Sequence, residues 1–363
     1  MFWELLFATD SAANHPFLLN PALVQSKNLS LGLVQLNSSS NYKVTASNSE
    51  SVQKTNISYS KQGLSINTPL GPGFSAGVYA LFSSKEYRST VSDNNRYQTL
   101  TLDEHRTQRE AGLRMSIQIT PAFNVGAQLR YSSFNTDVIG TFNAAPTDRT
   151  SYKSSIYGGG IGGAFVNKEW TVSGCYFSPL RGKSEIGLES KVTNEPGFTL
   201  LQGHFEFAKE MNIGLSYMLW NHDKDELEIT STTAQSNGRT QMFLKGVSPD
   251  ANYHHNSTIA FGGDFPLLNS TLIRVSAIQE KGFFLPMSDT AETPTAPENK
   301  SFDAYTYSGR TALVMSQSTF EAQIGANYGK RKFSRTTSNG NDPFTISQGL
   351  DVLNSFIVIK LNF

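Results

Sequence analysis

Apolar and polar residues alternate along most of this chain with a period of two. Phe123, Val125, Ala127, Leu129 and Tyr131 fall on one face, and Asn124, Gly126, Gln128, Arg130 and Ser132 on the other. Just before them, Leu113, Met115, Ile117 and Ile119 oppose Arg114, Ser116, Gln118 and Thr120. Thr120-Pro121-Ala122 joins the two runs as a tight turn, so the pair reads as a β-hairpin. The pattern recurs where Phe320, Ala322, Ile324, Ala326 and Tyr328 oppose Glu321, Gln323, Gly325 and Asn327, and where Ile213, Leu215, Tyr217 and Leu219 oppose Asn212, Gly214 and Ser216. At the C-terminus Leu353, Ile357, Ile359, Leu361 and Phe363 share a face. Strands are predicted near 28–37, 54–67, 73–84, 107–120, 123–134, 152–166, 169–181, 198–208, 211–222, 254–265, 270–282, 303–316, 319–332 and 350–363. Most reach the roughly 9–11 residues that a tilted strand needs to cross hydrocarbon.

The connections between them alternate in length. Short ones fall around Pro69–Pro72, Pro121–Ala122, Asn167–Lys168, Lys209–Glu210, Pro266–Asn269 and Gln317–Ser318. Long polar ones are expected around 38–53, 85–106, 135–151, 182–197, 223–253, 283–302 and 333–349. Short turns at one end and long loops at the other are the layout of a membrane-spanning barrel. A soluble β-sandwich alternates too. Here, however, the apolar face is rich in Tyr, Phe and Leu in nearly every strand, and the opposite face carries Arg, Gln, Glu, Asn and Gly, as a wet lumen requires. An open sheet in lipid would leave backbone groups unpaired at several kcal/mol each, so the sheet must close. The expected class is all-β, a transmembrane antiparallel β-barrel of about fourteen strands over 26–363, with 1–25 left over at the short-turn end.

Composition changes this picture little. Among 363 residues, Lys+Arg and Asp+Glu are 30 each, so there is no basic excess for nucleic acid. The mean hydropathy of −0.32 is that of a soluble chain. A barrel passes for soluble because only alternate strand residues meet lipid. The opening MFWELLFA has no basic flank and is interrupted by Glu4, so a secretory leader is expected to have been removed or to lie upstream. The lone Cys175 excludes an intrachain disulfide and reads as a small packing residue. No Gly-x-Ser-x-Gly elbow, P-loop or His-Glu-x-x-His occurs among the motifs, and the six histidines include one adjacent pair, His254-His255, best read as a satisfied or exposed pair rather than metal ligands. No enzyme activity, cofactor or metal is expected.

Two stretches carry a family resemblance. Ala8-Thr9-Asp10-Ser11-Ala12-Ala13-Asn14 followed by Asn20-Pro21-Ala22-Leu23 resembles the start of the long-chain fatty acid transporter family (the FadL/TodX type), which places an Asn-Pro-Ala motif just before its first strand. Tyr176-Phe177-Ser178-Pro179-Leu180-Arg181-Gly182 is similar to a Tyr-Arg-Ser-Pro stretch in a middle strand of that family. The resemblance implies that 1–25 folds inside the barrel as a hatch. It also implies passive uptake of long-chain fatty acids or other hydrophobic compounds across the bacterial outer membrane, through an apolar pocket with a sideways exit at a kinked strand. A structural or partner-binding barrel without transport, and a polar-solute porin, are the alternatives. The terminal Phe363, with Ile357, Ile359 and Leu361 on its face, looks like the signal that such barrels present to their assembly machinery.

Physical reasoning adds candidate residues. A barrel of about fourteen strands encloses more space than its inward side chains fill, so something must plug it. Pro21 fixes φ and lacks a donor, which suits a tight turn, and Asn20 can satisfy backbone groups there. Phe17, Leu18 and Leu19 either touch a greasy ligand or, more simply, pack against the lumen wall, and with Asn20, Pro21 and Ala22 they are the candidate hatch or ligand-binding residues. Gly77, at an inward position of the third strand, marks a possible bend for a sideways gate, or is only a filler. Phe283, Phe284 and Leu285 make an apolar patch in a region expected to be polar, as a capture loop or as part of an interfacial aromatic girdle. Arg114, Arg130, Arg274 and Arg310 fall on lumen faces, where Glu206, Glu280 and Glu321 are the expected counter-charges and a ligand carboxylate the alternative. The expected partners are a hydrophobic small molecule or fatty acid, and outer-membrane lipid.

Overall fold

The computed structural model describes residues 20–23, 28–46, 49–93, 98–143, 145–186, 189–195, 197–208, 211–221, 253–268, 270–284, 302–317, 319–339 and 342–362. Among them are β1 (Asn28–Ala46), β2 (Ser49–Gly71), β3 (Phe74–Asp93), β4 (Gln98–Thr120), β5 (Phe123–Phe142), β6 (Ala145–Val166), β7 (Trp170–Phe177) and β8 (Leu180–Ile186). The chain continues through β9 (Glu189–Glu195), β10 (Gly197–Ala208), β11 (Met211–Asn221), β12 (Tyr253–Leu268), β13 (Thr271–Phe284), β14 (Phe302–Gln317), β15 (Phe320–Asn339) and β16 (Asp342–Asn362). Every pairing is antiparallel, and β1 pairs with β16, which closes the wall. Segments β7 and β8 both pair with β6, and their outer partners β10 and β9 follow each other in sequence. Each of these couples is one wall strand in two pieces, so the sixteen segments make a closed barrel of fourteen staves.

The faces sort as the alternation predicts. Leu31, Leu33, Leu64, Ile66, Val78, Leu113, Met115, Ile117, Leu129 and Ile161 are exposed on the outer surface, while Asn67, Glu110, Arg114, Gln128, Arg130 and Ser132 are buried inside. So large an exposed apolar belt is stable only against lipid. Aromatic side chains border it at both levels. Tyr131, Tyr157, Tyr307 and Tyr328 sit toward the long-connection end, and Phe123, Phe165, Trp170, Phe205 and Phe265 near the short turns. Their amphipathic or bulky rings belong at a membrane–water interface. Met115 lies at the middle of this belt on β4 and His105 well above it on the same face. Met115→Arg is therefore expected to destabilise the barrel by about 2–4 kcal/mol, and His105→Arg by about 0–1 kcal/mol, in urea titrations of liposome-inserted protein.

The expected loops at 38–53, 85–106, 135–151 and 333–349 need correction. Strands β1 to β6, β15 and β16 run far past the belt and meet across short turns, so these stretches are mostly paired hairpin. Above the membrane both faces of a strand meet water, and the apolar signal fades while the backbone ladder continues. The stretch 182–197 likewise holds most of β8 and β9. Residues 222–252 and 285–301, which hold most of the other two expected loops, lie outside the described residues.

The short-turn end is built from local chemistry. Gly73, with φ of 69°, turns β2 into β3, and its carbonyl accepts the Gln118 N–H at 2.7 Å. Away from that end, midway along its stave, β7 stops at Ser178-Pro179 because Pro179 cannot donate to the ladder. Ser178 patches the gap toward β6: its N–H donates to Gly159 O (2.8 Å) and its Oγ accepts the Gly159 N–H (3.0 Å).

Candidate functional site

Asn20 to Leu23 lies inside the barrel, against the inner wall. Pro21–Leu23 forms one 3-10 turn, with proline at the first position where its missing N–H is harmless. Asn20 holds that turn from within: its Oδ1 accepts the Ala22 N–H at 3.0 Å, and its carbonyl accepts the Leu23 N–H at 3.0 Å. The Nδ2 group spends both hydrogens on the wall, donating to Gly163 O and Gly174 O, each at 3.1 Å. Gly163 and Gly174 are direct partners on β6 and β7, so one carboxamide staples the segment across two neighbouring staves. Ser116 Oγ on β4 donates to Ala22 O at 3.2 Å.

The wall leaves room for this turn. Ser116, Gly126, Gly162 and Cys175 lie directly opposite one another across β4, β5, β6 and β7. A Cβ at Gly126 would overlap the Pro21 carbonyl carbon and stand 2.5 Å from Ala22 N. A Cβ at Gly162 would overlap Asn20 Oδ1. Two absent side chains thus make the seat, and the small Cys175 completes it.

Beside the seat the inner wall turns apolar. Cys175, Phe177, Phe198, Leu200, Met218, Ala260 and Ile278 form one buried cluster on β7 and β10 to β13, with Trp220 against it. Phe177 and Phe198 stack at 4.8 Å, and Phe198 meets the Trp220 ring at 5.3 Å. Facing strands carry charge instead. Glu110 Oε1 accepts from Arg130 Nε at 3.1 Å and from the Tyr79 hydroxyl at 2.9 Å, and Gln128 Nε2 donates to that hydroxyl at 2.9 Å. On β12 and β13 themselves, below the apolar cluster toward the short turns, Arg274 grips Asp264 through two contacts of 2.6 Å. This pair, with Leu23, His204 and Asn212, lines a cavity of 240 Å³ on the short-turn side of the seat. The Arg130 guanidinium lies 5.8 Å from the Phe177 ring centre, where the polar and apolar walls meet.

The sequence-derived candidates fare unevenly. Asn20, Pro21 and Ala22 come together on the wall, whereas Phe17, Leu18 and Leu19 lie outside the described residues. Pairing runs without a shift through Gly77 on both sides, and the space of its absent side chain is taken by Asn67. Phe283 and Phe284 are the last residues of β13, paired with Asp303 and Phe302; Leu285 and Phe363 lie outside the described residues. The four arginines are all buried, but Arg130 pairs with Glu110 and Arg274 with Asp264, partners that the sequence did not single out. Gly126 and Gly162 were missed as a seat. Their signal was faint: a glycine at a lumen position on each of two neighbouring strands.

No family model matches this sequence, and no curated protein is detectably similar to it. Solved structures are. A FadL homologue of Pseudomonas aeruginosa superposes with a TM-score of 0.58 at 14% identity, over 99% of this chain and 95% of that one. The Pseudomonas putida toluene transporter TodX gives 0.56 at 11% identity, over 95% of this chain and 92% of that one. A deletion mutant of the TodX monoaromatic hydrocarbon channel gives 0.58 at 11%, over 95% and 93%. This chain thus has the fold of the FadL and TodX outer-membrane channels.

Proposed function

We propose that this protein passes hydrophobic compounds, long-chain fatty acids among them, passively across the outer membrane, with 1–25 as its hatch. The observation that carries the reading is the apolar inner wall of Phe177, Phe198, Leu200, Met218, Ile278 and Trp220 placed against the Asn20–Ala22 seat. A polar-solute porin has no use for such a wall. An apolar molecule leaving water for it gains about 25 cal/mol per Å² buried. The shared fold with a toluene transporter and a FadL homologue supports a hydrophobic cargo. Phe283 and Phe284, the last residues of β13, serve with the following Leu285 as first contact for that cargo. Sideways release is better served by the interruption at Ser178-Pro179 than by β3, whose pairing is regular through Gly77. The terminal Phe363 addresses the barrel assembly machinery.

Labelled oleate should bind the purified protein saturably, and Phe198→Asp should weaken that binding at least tenfold, since a buried carboxylate would face the ligand's chain. Lack of saturable binding by the parent protein would sink the reading. A parent that instead conducts small ions steadily in planar bilayers would favour the porin.

A further inference from the structure

The outer surface of β4, β5, β6 and β8 carries cations in one place. Three successive rows of cross-strand neighbours stand there above the apolar belt. The lowest is Ala111, Tyr131, Tyr157 and Arg181; the next is Arg109, Ser133, Ser155 and Lys183; the third is Thr107, Asn135, Lys153 and Glu185. Arg109, Lys153 and Arg181 are all exposed, on a platform of Tyr131 and Tyr157 that are 50% and 68% exposed. The Tyr131 hydroxyl and Ser155 Oγ lie 3.3 Å apart, which ties two of the staves together under the cations. Neighbouring strands are about 4.8 Å apart, so the Cα atoms of the three cations fall within roughly 12–16 Å of one another. Directly below are the lipid-facing Leu113, Leu129 and Ile161.

Above β4 and β5 a groove of about 770 Å³ opens on the outward face and extends sideways over β1 to β3, β15 and β16. Glu86, Arg88, Asp103, His105 and Asp137 line it together with Tyr328. Arg88 and Asp103 brace it with a pair at 2.7 Å, and Ser151 hydrogen-bonds Asp137. From the belt upward the wall therefore presents hydrocarbon, then positive charge over aromatic rings, then a cleft rich in carboxylates and other hydrogen-bonding groups.

We infer that this face binds a phosphorylated glycolipid of the outer leaflet, with acyl chains on the belt, phosphates at Arg109, Lys153 and Arg181, and sugars in the groove above. A plain phospholipid would use the first two levels and leave the groove unused. Guanidinium and ammonium groups make charge-assisted hydrogen bonds to phosphate oxygens, and tyrosines belong at the headgroup level. The carboxylates of the groove suit neutral sugar hydroxyls as acceptors and would repel a second anion, which keeps the phosphates on the lower rows. This docking is independent of what passes through the lumen.

The test uses the full chain in nonionic detergent and native mass spectrometry after adding lipid A, whose phosphorylated glucosamine sugars carry no carboxylate, or phosphatidylglycerol. The parent should retain the glycolipid in preference to phosphatidylglycerol. R109S/K153S/R181S should retain it at least tenfold less well, while the charge-keeping R109K/K153R/R181K should retain it nearly as the parent does. Heat-dependent gel mobility shows that each variant is folded, and single R109S and K153S variants, each expected to give an intermediate loss, stand in for a triple variant that is not. Undiminished glycolipid retention by a folded serine variant overturns the inference. So does phosphatidylglycerol retained as well as the glycolipid in the same patch-dependent way.

Discussion

Gly126→Val is expected to expel the Asn20–Ala22 segment from its seat and leave the barrel standing. The new side chain starts where the Pro21 carbonyl carbon already is, and stands 2.5 Å from Ala22 N. Both are backbone atoms of a turn whose φ is partly locked by proline, so no rotamer change relieves the overlap. In the strand itself valine is a better residue than glycine, and ladder pairing on both sides of β5 needs no change. Asn20→Ala attacks the same contact from the other side. It removes the donations to Gly163 O and Gly174 O and the acceptance from Ala22 N–H. At about 0.5–1.5 kcal/mol each, three such bonds hold roughly 1.5–4.5 kcal/mol. Amide exchange of the 20–23 peptide reads the result directly. A loss of about 3 kcal/mol is expected to speed it about a hundredfold in either variant, with the protection of β4 to β7 unchanged. Conductance in planar bilayers should rise in parallel, because the segment occupies the lumen. If exchange at 20–23 keeps its parental rate in Gly126→Val, the seat is not what holds the turn.

The strands were legible in the sequence wherever one face met lipid and the other did not. Phe123 to Tyr131 and Leu113 to Ile119 announced β5 and β4 because lipid demands apolar side chains at every second position. The same strands were illegible above the belt. Residues 103–107 pair with 135–139 as regularly as the rest, yet Asp103 to Thr107 show no apolar alternation, since water bathes both faces there. Asn20-Pro21-Ala22 could be read as a turn with a docking role from its own chemistry. Its seat could not, because Gly126 and Gly162 acquire meaning only when register places them opposite each other. The same holds for the buried charges. Arg130 and Arg274 were recognisable as lumen residues, but Glu110 and Asp264 become their partners only through the stagger between adjacent strands. Local pattern sets which face a residue takes; closure of the ring sets which neighbour it meets.

Loss of one buried lumen carboxylate should do more damage than loss of its whole ion pair. Asp264 and Arg274 are direct cross-strand partners on β12 and β13, their side chains only 4% and 3% exposed. Two contacts of 2.6 Å join guanidinium to carboxylate, and Gln323 Oε1 stands 3.5 Å from Arg274 Nη1. Asp264→Leu takes the Asp264 charge from a guanidinium that stays buried, one row from the equally buried Arg310 on β14. The expected cost is about 3–5 kcal/mol. Replacing both partners with apolar residues of similar volume, D264L/R274M, removes the stranded charge together with its need for a partner, so most of the lost stability should return. Urea titration of liposome-inserted protein, followed by heat-dependent gel mobility, separates the two variants. Recovery in the double variant would place the instability of the single one in the Arg274 cation that has lost Asp264. An equally unstable double variant would show that Arg274 is required for more than this pair, and the Gln323 contact is then the next to remove. The cavity beneath Leu23 gives the comparison a functional side, because both residues line it. A folded D264L/R274M barrel presents an apolar floor on the short-turn side of the Asn20–Leu23 turn, and under the proposed function a hydrophobic compound should then be released more slowly.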